Sequence, residues 1–150
     1  MITGFTITKV EGAIESQESL VKQMFPKLNI NIEKVASTPN EDMVKVEYSF
    51  YADYLDNTAK EAKSVGHIKL SGEIDVKESK DSISAILKKW TETNSLPVQL
   101  AEEIINGLNF RCSATGTLVA YSLGLIPPLV ISTTKIQESK QENTAKPEKK

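Results

Sequence analysis

Apolar and polar residues alternate strictly along four stretches of this chain, and after Asp81 the repeat lengthens from two residues to about 3.6. Few folds accept that order. Period two belongs to strands with one wet face, and period 3.6 belongs to amphipathic helices. The first strand runs from Ile2 to Ile14, with Phe5 and Ile7 on one face, Thr6 and Thr8 on the other, and Gly12 at a β-bulge. Its partner comes much later in the chain. Ser16 to Pro26 is a polar link whose cluster Leu20, Val21, Met24 and Phe25 forms either a short helix or a loop pressed onto the sheet. Leu28, Ile30 and Ile32 alternate with Asn29, Asn31 and Glu33 as a second strand, and Ser37-Thr38-Pro39-Asn40 turns the chain. The third strand sets Val44, Val46, Tyr48, Phe50, Ala52 and Tyr54 against Lys45, Glu47, Ser49 and Asp53. The fourth sets Ile68, Leu70, Ile74 and Val76 against His67, Lys69, Glu73 and Asp75, with Gly66 and Gly72 interrupting its apolar face.

Ile83, Ile86, Leu87 and Trp90 then fall at i, i+3, i+4 and i+7, which is one face of a helix, with Trp90 read first as its anchor on the sheet and second as an interface residue. Asp81 or Ser82 is read as its cap, and Thr93-Asn94-Ser95 closes it before Pro97, a residue suited to the first turn of the next helix. Ala101, Ile104, Ile105 and Leu108 make the next stripe. A kink or break is expected between Gly107 and Arg111, after which Leu118, Tyr121, Ser122 and Leu125 resume the spacing until Gly124 and Pro127-Pro128 end it. The expected order is β-β-β-β-α-α. In fold class this is α+β, a four-stranded antiparallel sheet with its C-terminal helices packed together on one face. Beyond Ser132 apolar residues nearly vanish, so residues 1–132 are read as one domain and 133–150 as a disordered charged tail.

Several function classes fall away on chemistry. A formal charge of -2 over 150 residues, with no basic stripe, argues against nucleic acid. The opening Met1-Ile2-Thr3-Gly4-Phe5 lacks the charged and apolar regions of a secretory signal, and the apolar run from Leu123 to Ile131 is too short to span a bilayer. A cytoplasmic protein without membrane insertion is expected. One cysteine, Cys112, forms no internal disulfide and reads as a small buried hydrophobe. One histidine, His67, has no neighbouring ligand set, and no glycine-rich phosphate loop is present. No catalytic residue, metal or cofactor is expected.

The aromatic residues divide. Tyr48 and Phe50 read as core, whereas Tyr51 lies on the otherwise polar face of its strand, as a cross-strand partner or part of a contact surface.

Three segments give the layout a family likeness: Phe5-Thr6-Ile7-Thr8-Lys9-Val10 as an opening strand, Val44 to Tyr54 after a polar turn, and Val65-Gly66-His67-Ile68-Lys69-Leu70-Ser71-Gly72-Glu73-Ile74 with its central glycine. With helices ending in the proline-containing segment Leu123 to Val130, the chain from Phe5 to Ser132 resembles the SecB-type export chaperones and their archaeal and toxin-antitoxin-associated relatives. The resemblance implies a homo-oligomer, dimer or tetramer, that holds unfolded polypeptides or preproteins in apolar grooves without ATP. The tail lacks the bacterial ending that contacts the translocation ATPase, so holding is expected rather than delivery to a secretion motor. Tyr51, Tyr54, Leu123, Ile126 and Leu129 are the expected polypeptide contacts. Two other readings stand beside it: a subunit dedicated to one folded partner, and a module enclosing a small apolar ligand between helices and sheet.

Overall fold

The computed structural model describes residues 1–16, 25–56, 60–129 and 134–136. Strands β1 (Ile2–Ile14), β2 (Pro26–Ser37), β3 (Met43–Asp56) and β4 (Lys63–Lys77) precede helices α1 (Lys80–Thr93) and α2 (Val98–Leu123). All neighbouring strands pair antiparallel, in the order β1-β4-β3-β2, so β1 does find its partner late in the chain. The cluster expected between Ser16 and Pro26 falls mostly outside the described residues.

The two central strands are built as their alternation requires. Val44, Val46, Tyr48, Phe50, Ala52 and Tyr54 of β3 are all buried, as are Ile68, Leu70, Ile74 and Val76 of β4. The helices cover that face: α1 lies over β2 and β3, and α2 over β1 and β4. The opposite face stays polar and carries ion pairs such as Lys45 Nζ to Glu73 Oε2 at 2.7 Å.

Three local expectations are corrected. The bulges in β1 fall between Ile2 and Gly4 and between Ile7 and Lys9, while Gly12 pairs in regular register with Ile68. Gly12 serves close packing instead, since a Cβ there would stand 2.8 Å from Val119 Cγ1 and 2.9 Å from Leu123 Cδ1 of α2. Helix α1 is capped by Ser79, whose side chain accepts from the Ser82 amide, and not by Asp81 or Ser82. Asn94, in the left-handed conformation, ends it as expected.

The third correction is the continuity of α2, which runs unbroken through Gly107 to Arg111. The glycine does not loosen the helix. It lets the Phe5 ring of β1 press against the helix backbone, since a Cβ at Gly107 would lie 2.4 Å from Phe5 Cζ. Arg111, a turn later, places its guanidinium 5.1 Å from the same ring, a cation-π contact.

Gly72 is the tightest point of the sheet. A Cβ there would stand 1.9 Å from the Thr6 carbonyl oxygen and 2.7 Å from the Tyr48 hydroxyl. Backbone cannot yield as a side-chain tip can, so Gly72→Ala should force β1 from β4 and cost about 3 kcal/mol. Gly4→Ala meets only the Asp75 carboxylate at 3.2 Å and should cost less than about 1 kcal/mol. Urea unfolding of the two variants checks the contrast, and equal stabilities contradict it.

Candidate functional site

Helix α2 has 26 residues, about 39 Å of length, and carries two separate apolar stripes. The first is Leu100, Ile104, Leu108, Cys112, Gly116 and Ala120, all buried. A strict four-residue repeat drifts around a helix by about 40° per step, which lets the stripe follow the twisted sheet beneath it. The second is Phe110, Ala114, Leu118 and Tyr121, spaced four, four and three, and it faces outward. Its large side chains are 79%, 72% and 85% exposed at Phe110, Leu118 and Tyr121. Isolated exposed apolar residues need no explanation, but a stripe of them on one helix face does.

The expected contact residues do not gather on one surface. Tyr51 points to the open polar face of the sheet, where its ring stacks on His67 with centroids 5.8 Å apart and planes 16° from parallel. Burial, then the charges of Asp53 and Glu15, raise its phenol above the usual range. Tyr54 is a core residue, 1% exposed, and its hydroxyl donates to the Ile126 carbonyl. Burial pushes its phenol up to about 12. Ile126 packs half-buried against the core, and Leu123 lies over Gly12. Leu129 is exposed. Because Tyr54 and Ile126 lock onto each other, a polypeptide reaches either only if the segment after α2 moves.

Leu118 and Tyr121 are legible as helix residues but not as a surface, and Phe110 falls within the expected kink or break. Leu118 lies 18 residues beyond Leu100, at the same angle on the helix, and is exposed because the buried stripe has drifted by about 160° by the time it reaches Gly116. A helix with two apolar stripes buries one of them on a single sheet and leaves the other over.

Cys112 is buried and its thiol is pushed up to about 11 by that burial. The adjacent Tyr48 phenol is raised by burial and then by Cys112. His67 Nδ1 lies 3.4 Å from Glu15 Oε1. Among the described residues no three His, Cys, Asp or Glu side chains stand close enough to hold a metal ion. A cleft of about 350 Å³ opens between the starts of α1 and α2, lined by Glu78, Ser82, Gln99 and Glu103 together with Ala85, Ile86, Pro97 and Leu100. Among the described residues no helix is long and apolar enough to cross a membrane.

Cys112 offers a check on this burial. A thiol held near 11 should react with an aromatic disulfide reagent at pH 8 at least about 100-fold more slowly in the native protein than after denaturation. Native reaction within tenfold of the denatured rate contradicts the placement.

No family model and no curated protein sequence matches the chain. Among solved structures, the Mycobacterium tuberculosis Rv1957 SecB-like chaperone, in complex with a ChAD peptide from the Rv1956 HigA1 antitoxin, matches with a TM-score of 0.52 at 12% identity. The match covers 91% of this chain and 92% of that one. The chain therefore has the fold of a SecB-like chaperone over nearly its whole length.

Proposed function

We propose that this protein is an ATP-independent chaperone of the cytoplasm that holds unfolded polypeptides by their apolar segments. The observation that carries the reading is the outward stripe Phe110, Leu118 and Tyr121 on a helix whose other stripe already satisfies the core. The solved chaperone of the same fold, bound to a peptide, supports it. Each apolar contact with a client gains roughly 25 cal/mol per Å² removed from water, without direction or sequence demand, which is what a holder of varied clients needs. Leu129, after the helix end, is a further exposed apolar residue.

The same reading has copies of the chain assemble into at least a dimer. Among the described residues, strands β1 and β2 are the edges of the sheet and have no strand paired along their outer sides. Several holding surfaces in one particle raise avidity for a long client. Static light scattering at micromolar concentration should give at least twice the chain mass; a monomer mass independent of concentration contradicts the assembly.

Holding is tested by dilution of a chemically denatured client into nucleotide-free buffer. Full-length protein at a few-fold molar excess should suppress aggregation of several unrelated clients. The triple variant Phe110→Ser, Leu118→Ser, Tyr121→Ser should lose most of that activity, yet keep its stability within about 1 kcal/mol, because the side chains removed are already exposed. Wild-type protein that fails to slow aggregation sinks the reading, and a fully active triple variant moves the holding surface off α2.

A further inference from the structure

Residues 134–136 lie beside α2 and are gripped there through their backbone. Asn106 Oδ1 accepts from the Thr134 amide at 2.8 Å, and Asn106 Nδ2 donates to the Thr134 carbonyl at 3.2 Å. Four residues earlier on the helix, Glu102 Oε1 accepts from the Ile136 amide at 2.6 Å. Not one of these three contacts reaches a side chain of the bound segment. The spacing explains the fit: residues four apart on a helix rise about 6 Å, and residues two apart on an extended chain advance about 6.6 Å. One helical turn therefore meets alternate amides of an antiparallel extended segment.

The same helix face continues the track. Ser113, seven residues after Asn106, is 6% exposed and its hydroxyl finds no hydrogen-bond partner among the described residues. Gly116 follows, and the Pro128 ring lies so close that a Cβ at Gly116 would stand 2.7 Å from Pro128 Cγ. A buried, unpartnered hydroxyl costs free energy unless something binds it. An asparagine that pairs with both the N–H and the C=O of one residue, and a carboxylate that takes a second N–H, read peptide backbone whatever the side chains are.

We propose that Glu102, Asn106 and Ser113 form a backbone-reading site for an extended polypeptide, and that residues 134–136 are its resident occupant, displaced when a client binds. The inference rests on the holding function proposed above. It adds a mode of recognition that depends on hydrogen bonds rather than on apolar area, and it gives the chain's own C-terminal segment an autoinhibitory role. An internal occupant weakens apparent client affinity by the reciprocal of the fraction of time that it leaves the site empty.

The experiment leaves the site intact and loosens the occupant. In the full chain, Thr134→Pro with Ile136→Pro removes both amide donors to α2. Fluorescence anisotropy with a labelled, reduced and carboxymethylated lactalbumin should show binding roughly five- to tenfold tighter than wild type. Adding Asn106→Leu and Glu102→Leu in that background should abolish the gain. In wild-type protein the Thr134 and Ile136 amides should exchange slowly with deuterium, and client at saturation should speed them. Affinity that is unchanged within twofold, or weaker, in the proline variant overturns this inference and leaves the holding function standing. Fast exchange of both amides without client overturns it as well. Lactalbumin bound by neither the wild type nor the proline variant overturns both readings.

Discussion

The register between β3 and β4 is the constraint on which the rest of the molecule depends. Val44 faces Val76, Val46 faces Ile74, Phe50 faces Leu70 and Ala52 faces Ile68. A slip of one residue would turn Lys45, Glu47 and Asp53 into the core and the whole apolar set out to water. One pair in this ladder is unequal. Tyr48 faces Gly72, and the missing side chain at Gly72 makes room for the phenol to run beneath β4 to the Thr6 carbonyl of β1, with Cys112 of α2 beside it. A large residue opposite none thus ties the central pair to an edge strand and to the long helix.

Surface for binding follows from how that core is filled. The sheet offers one apolar face, and the four-spaced stripe of α2 with Ile83 and Ile86 of α1 covers it. Nothing in the core calls for Phe110, Leu118 or Tyr121. They lie on the side of α2 that the sheet does not use, and their exposure is a surplus that a helix of this length carries without loss of stability. The opposite sheet face, by contrast, is polar and carries ion pairs and the Tyr51–His67 stack.

Much of this was legible in the sequence because strand alternation is tied directly to burial. Ile2–Ile14 was bounded as found, the faces of β3 and β4 came out residue for residue, and Trp90 packs on the core as its spacing implied. What was misread shares one cause: the deciding partner lies far away in sequence. Gly107 looks like a helix breaker until Phe5 is placed against it, and Gly12 looks like a bulge until Val119 and Leu123 arrive. Tyr54, at the end of its strand, looks available until the Ile126 carbonyl accepts a hydrogen bond from its hydroxyl. Leu118 and Tyr121 have the period of buried residues, and periodicity alone does not say which of two stripes meets the sheet.

Where a client lies on the molecule is the point that the account stands on. A photo-activated crosslinking side chain placed at Leu118, on the outward stripe of α2, should capture a permanently unfolded client in high yield, whereas the same group at Lys69, on the open polar face of the sheet, should capture little. Equal yields from the two positions, or a client captured only from Lys69, would contradict it.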